Sequence, residues 1–352
     1  MMKKVFVAAV AATSMLAFSG CGGSSDSSGD ASTLHVYAWA GEIPDTVTKA
    51  FTKETGIKVK IDTFDSNETM ISKLAAGNSG YDVVEPSQYA VQQLVGQHLI
   101  EPLDHSKLTG LDNLASTFTD PSYDHGLAHS VPWVWGTTGI LYNQKCTGKP
   151  IDSWSALWDS AYKGKIYLLD NMLAAYIAGL QVLGHHANST KESEIDAATK
   201  KLQEQKPLLA GYNSTNYADL IAQGQACVAE AWGGSSTAKV VESNPDVKYV
   251  LPKEGGSLWT DGLAIAAGSS NAAAAYKFIN FTLRPEIAAL ATDDGSMASV
   301  NEAAKAKITK TNLLNNTAVY APATQAANAD FILDPGSAMK YFQQGWTKIK
   351  SS

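Results

Sequence analysis

Trp39, Ser87, Trp232 and Trp259 each fall at or just past the carboxyl end of a segment that reads as a β-strand. Open α/β sheets bind ligands at that edge. Aromatic side chains there offer flat faces to a bound ligand. The alternative for the three tryptophans is a core role, as expected of Trp154, Trp158 and Trp346 on amphipathic segments. Arg284 is the chain's only arginine, so bidentate capture of phosphate or carboxylate has almost no raw material. Enzyme signatures are missing as well: there is no Gly-x-Ser-x-Gly elbow, no Walker loop and no His-Glu-x-x-His. The seven histidines are scattered, and His185-His186 reads as a helix end rather than a metal site. We therefore expect a binding protein, not an enzyme, with no cofactor and no metal.

The elements that position these residues alternate short apolar strands with amphipathic helices, the pattern of an α/β sheet covered on both faces. Leu34 to Ala38 reads as a strand, Pro44 suits a first helical turn, and Val47, Ala50 and Phe51 recur at helical spacing until Gly56. Asp65 and Glu68 have capping-box spacing ahead of the Met70, Ile71, Leu74 stripe. Tyr81 to Val84 is a further strand, and Pro86 to Tyr89 turns it into a helix. Pro132 to Asn143 is nearly continuously apolar, which suits an extended crossing between two lobes. Beyond it the pattern predicts a capped helix at Ser153 to Trp158 and a helix at Ile195 to Gln205. Strands are predicted at Lys165 to Leu169, Val228 to Trp232, Val247 to Leu251 and Leu263 to Ala267, with a helix over Ala272 to Thr282.

The first 20 residues read as an address: Lys3 and Lys4, then an apolar core from Val5 to Phe18. Phe18-Ser19-Gly20-Cys21 is similar to the lipobox of bacterial lipoproteins, which implies acylation of Cys21 and an anchor on the outer face of a membrane; plain secretion to the periplasm is the alternative. Residues 21–32 lack any large apolar side chain after Cys21 and suit a tether. The remaining chain of about 320 residues exceeds what one core usually supports. We place one lobe at 33–140 and 262–305 and the other at 141–261 and 306–352. The formal charge of −7 becomes −9 once residues 1–20, which carry two lysines and no acid, are removed. An acidic surface argues against nucleic acid. Cys146 and Cys227 are a candidate disulfide in an exported chain, the alternative being two thiols with Cys227 a small core residue.

Several segments carry a specific resemblance. They include Tyr37-Ala38-Trp39, Phe51 to Ile57, Ser66 to Met70, Tyr81 to Val84 leading to Pro86-Ser87 and Tyr89, Trp135 to Thr138, Tyr162 to Gly164, Pro252 to Gly256, and Phe278 to Phe281 through Pro285. From about Leu34 to Lys350 the chain resembles the spermidine/putrescine-binding periplasmic proteins of bacterial ABC importers. The resemblance implies a two-lobed α/β fold of the type II periplasmic-binding kind, with a small cationic amine closed between the lobes. It also implies a membrane permease as partner, and we expect a monomer. Trp39, Tyr89, Trp232, Trp259 and Asp261 match positions that line the family's polyamine cleft, with Asp261 pairing an amine.

The chain also departs from that family. After Trp39 the family has an acid two residues on and then Tyr, whereas this chain has Ala40-Gly41-Glu42. The family's acid pair becomes Asn171 and Ala174, and a late-loop tyrosine becomes Met297. Glu42 could replace the acid near Trp39. Glu230, two residues before Trp232 on one strand face, could replace the other pair, or it could face solvent or a lysine. A single ammonium, as in a gamma-aminobutyrate-like omega-amino acid, is a second reading, with the ligand carboxylate resting on Ser87 or Ser235. A third is a ligand-sensing partner of a membrane receptor.

Overall fold

The computed structural model describes residues 33–352; the expected signal peptide, the Cys21 lipidation site and the tether lie outside the described residues. The strands are β1 (Thr33–Trp39), β2 (Lys58–Phe64), β3 (Val83–Val84), β4 (Ser130–Asn143), β5 (Ile166–Leu168), β6 (Leu209–Tyr212), β7 (Val228–Trp232), β8 (Val247–Val250), β9 (Ser257–Ile265), β10 (Ala298–Ser299) and β11 (Asp330–Phe331). They join in the order β2-β1-β3-β9-β4-β7-β5-β6, with β8 and β10 on β4 and β11 on β9.

Parallel pairs made by strand-helix crossovers sit at both ends of this sheet: β1 with β2 and β3, and β5 with β6 and β7. Between them β4 and β9 run antiparallel to each other and to β7 and β3. The 14 residues of β4 are almost all buried, as their unbroken apolar run requires of a strand covered on both faces. β4 and β9 thus tie two α/β halves together. One aliphatic and aromatic core lies under Phe51, Trp133, Phe278 and Ile279. Another lies under Trp154, Leu157, Tyr176 and Leu202.

Local chemistry sets the helix ends. The helix Asp45–Thr55 stops at Gly56, whose φ of 76° is left-handed and whose N–H returns to Thr52 O. The helix Asn67–Ala75 starts one residue later than the Asp65–Glu68 spacing suggests: Ser66 Oγ accepts from Thr69 N–H at 3.1 Å, while Asp65 accepts from the Thr69 hydroxyl. The expected helix at Ser153 to Trp158 is a 3-10 helix over Trp154–Trp158, capped by Ser153 Oγ accepting from Ser155 N–H. Cys146 and Cys227 are joined as a disulfide with Cα atoms 5.2 Å apart, linking the end of β4 to the start of β7.

The larger departure is β9. The alternation predicts a strand only from Leu263, yet it begins at Ser257 and all nine residues are buried. Trp259 and Asp261 are therefore in mid-strand rather than past a strand end. Ser257, Thr260 and Asp261 interrupt the apolar run. β4 pairs the backbone of this stretch from Thr138 to Val134, Thr260 Oγ1 donates to Val134 O at 2.8 Å and Asp261 accepts from Ser87, while Ser257 Oγ is buried without a partner.

Candidate functional site

Asp261 stands opposite Val134 of β4 on one side and Ser87 on the other. The second contact follows from register: β3 pairs Val83 with Ile265 and Val84 with Ala264. The chain continues antiparallel to β9, so that Gly262 N–H donates to Pro86 O at 3.1 Å and Ser87 meets Asp261. Ser87 Oγ donates to Asp261 Oδ1 at 2.5 Å. Ser87 precedes the helix Gln88–Gly96 but makes no capping bond there, because its hydroxyl is spent on Asp261. Asn67 fixes this corner: its Oδ1 accepts from Ser87 N–H at 3.1 Å and its Nδ2 donates to the Tyr89 hydroxyl at 2.9 Å.

Two further acids converge on Asp261. Glu85 is fully buried; its Oε2 accepts from Trp39 N–H at 3.0 Å, and its Oε1 has no partner. Glu42 is half-buried as a residue, but its Oε2 is buried and also unpartnered. Burial pushes Glu42 and Glu85 well above the usual carboxylate range, and the Asp261 charge beside them pushes the same way. Burial raises Asp261 to about 6, against the opposing donors Ser87, Glu42 and Trp39. No lysine, arginine or histidine offsets any of these shifts. Trp39 Nε1 lies beside Asp261, buried and without a partner in hydrogen-bonding geometry. Among the described residues no His, Cys, Asp and Glu group is arranged to hold a metal ion.

Aromatic groups surround the acids. Tyr89 is buried between Asn67 and Asn171, and Tyr123 is buried beside Thr260 and Asp261. Asn171 also caps the helix Met172–Gln181, accepting from Ala174 N–H at 3.0 Å. Trp259 lies flat over Gly136, its register partner: a Cβ at Gly136 would stand 2.2 Å from the ring, so only glycine permits the contact. Its Nε1 donates to Thr137 O at 3.1 Å. The same carbonyl takes Gly233 N–H at 2.7 Å and Tyr249 O–H at 2.8 Å, which ties the end of β7, and with it half-buried Trp232, to β9.

The structure thus brings Trp39, Glu42, Ser87, Tyr89 and Asp261 together, with Trp259 and Asn171 adjoining. Glu230 is elsewhere. It pairs with Ile140, six residues along β4 from the partner of Asp261, or roughly 20 Å at strand rise. It is fully buried, its Oε2 accepts from Leu169 N–H at 3.2 Å, its Oε1 has no partner, and burial raises it to about 8. Neither solvent nor a lysine meets it. Ser235 is exposed at the start of the helix Ser235–Ser243, with its N–H on Ser296 O. Sequence reasoning passed over Glu85 and Asn67; the only signal for Glu85 was an acid closing an apolar strand. Arg284 is engaged by Glu54 and Glu286 on the surface.

A strand pair crossing between two α/β halves, with a closed aromatic and acidic corner on it, is the architecture of a solute-capturing protein. Residues 46–318 match the family model described as bacterial extracellular solute-binding protein, and the chain belongs to that family. It is 35% identical over 324 residues, 92% of each chain, to the spermidine/putrescine-binding periplasmic protein of Escherichia coli strain K12. The crystal structure of the spermidine/putrescine ABC transporter substrate-binding protein PotD from Streptococcus pneumoniae superimposes with a TM-score of 0.80 at 29% identity, covering 91% of this chain and 98% of that one. The Tp0655 (TpPotD) lipoprotein of Treponema pallidum gives 0.82 at 26% identity, covering 90% and 99%. Among the described residues no helix is long and apolar enough to cross a membrane.

Proposed function

We propose that this protein captures a small organic amine of the polyamine class outside the cytoplasm and delivers it to the permease of an ABC importer, without catalysing a reaction. The observation that carries the reading is Asp261, a buried carboxylate among aromatic rings, with two more acids beside it and no cation of the protein's own. Such charge is costly unless something positive completes it. Asp261 takes the ammonium, Trp39, Tyr89 and Trp259 enclose the methylenes, Ser87 and Asn171 supply polar contacts, and Trp232 closes the far side. The lobes divide near 140 and 262 on β4 and β9, with a third crossing near 305. Cys21 carries the lipid anchor, and the protein acts as a monomer.

Calorimetry on the purified chain with putrescine, spermidine and gamma-aminobutyrate tests this. Asp261→Asn keeps the shape and removes the charge; truncating one member of a buried charge pair costs about 2–5 kcal/mol, roughly 30-fold to several-thousand-fold in affinity. Unchanged amine affinity in that variant, or binding of gamma-aminobutyrate alone, refutes the assignment.

A further inference from the structure

We infer that Glu85 is a ligand-recognition residue, and that Glu42, Glu85 and Asp261 form one acceptor set that selects a primary ammonium over N-methylated ones. This rests on the amine-capturing reading above and goes further by naming the determinant and the chemical class it selects.

Glu85 has the wrong properties for a structural acid. A buried carboxylate kept for stability is normally paired on both oxygens, since an unpaired polar atom in the interior costs the full desolvation penalty. Asp293, elsewhere in this chain, meets that standard, accepting from Thr309 N–H and Lys310 N–H at 2.8 to 3.0 Å; Glu230 shares the unpaired oxygen but, unlike Glu85, has no acid beside it. Glu85 has only the Trp39 N–H on Oε2 and nothing on Oε1, and it is close enough to Asp261 for the two charges to repel. The Oε2 bond holds the carboxyl against the Trp39 N–H at the end of β1. A glutamine there would keep the Trp39 N–H bond without the repulsion.

A second independent feature is the set of vacant acceptors. Glu85 Oε1 and Glu42 Oε2 are both buried and unpartnered, and Asp261 uses Oδ1 for the Ser87 hydroxyl. A primary ammonium brings three N–H donors on one centre, which matches one oxygen from each of the three acids. A quaternary ammonium brings none. It would satisfy the aromatic faces while leaving the acceptors unpaired in a dry site. Sites built around buried hydrogen-bonding groups reject analogues that lack the matching group far more strongly than apolar sites reject a missing methylene. Three carboxyls around one ammonium exceed the charge of that ammonium, so at least one keeps a proton in the complex.

The test is calorimetry of wild type, Glu85→Gln and Glu85→Val with putrescine and with choline, alongside the melting temperature of each free protein. The expected result is a loss of putrescine affinity of at least about 10-fold in both variants. Free Glu85→Gln should melt no lower than wild type at pH 8, because a repulsive buried acid has gone while the amide oxygen still accepts from Trp39 N–H, and wild type should not take up choline. If Glu85→Gln binds putrescine like wild type while Asp261→Asn does not, the role of Glu85 falls and the amine reading stands. If wild type binds no amine, both fall. Melting temperatures depressed in both variants make Glu85 structural and overturn the inference, and choline bound as tightly as putrescine overturns the selectivity.

Discussion

Glu230→Gln should make the ligand-free protein more stable, and more so at high pH. Glu230 is fully buried on β7, and desolvation lifts it from 4.5 to about 8, opposed only by the Leu169 N–H on Oε2. A carboxyl whose folded value is raised keeps a proton that the unfolded chain has lost. Its contribution to stability is fully present below 4.5 and is lost as the pH climbs through about 8. Integrating the difference in bound protons gives a penalty of roughly 4 kcal/mol at pH 8 and under about 1 kcal/mol at pH 5. Glutamine does not titrate and its Oε1 can still accept from Leu169. Its NH2 replaces Glu230 Oε1, where protonated glutamate also places an unsatisfied donor, so the two neutral forms cancel. With an unfolding entropy near 2.1 cal/mol/K per residue, a domain of about 320 residues shifts by roughly 6 °C for 4 kcal/mol and by about 1 °C for the smaller figure. Calorimetric scans of both proteins at pH 5 and pH 8, without ligand, measure this. A variant that melts at or below wild type at pH 8, or a difference equal at the two pH values, refutes the reasoning.

Gly136→Ala puts a Cβ 2.2 Å from Trp259 and must turn the indole off Thr137 O. We expect a loss of about 1–3 kcal/mol in stability, together with weaker putrescine binding, read by denaturant titration and calorimetry; unchanged binding would remove Trp259 from the site. Putrescine affinity should fall as the pH drops from 7 to 5, because Asp261, raised to about 6, then carries a proton that the ammonium must displace. Affinity that is flat over this range would exclude Asp261 as the charge partner.

Much of the fold was legible because the segments that specify it are locally consistent. β1, the helix to Thr55 and the helix Ala272–Thr282 show strand or helix periodicity, and most of β4 shows the unbroken apolar run of a strand buried on both faces. The helices Met172–Gln181 and Pro285–Asp293 did not stand out. The first has nine of ten residues buried and so lacks a polar face to set a period. The second follows Arg284-Pro285, which reads as a stop but serves here as a helix start with Pro at its first position.

The site was legible in its aromatic residues and in Asp261 through resemblance, but its charge balance was not. Glu42 and Glu230 were both open to a role as replacement acids on sequence grounds, and only register separates them. Glu230 faces Ile140, while Asp261 faces Val134 six residues away. Glu85 shows why such a residue escapes reading along the chain. As the acid after Tyr81 to Val84 it looks like a strand end turning to solvent. Its burial comes from two long-range pairings, β3 against β9 and the Trp39 N–H of β1 against its carboxylate, which bring in residues 46 and more positions away. Local propensity carries no trace of either. What marks the residue as functional is a cost: an acid fully buried with one oxygen unpaired beside another acid destabilises the empty protein. In a solute-binding protein that cost has a use, because an ammonium that completes the three acids relieves it on binding.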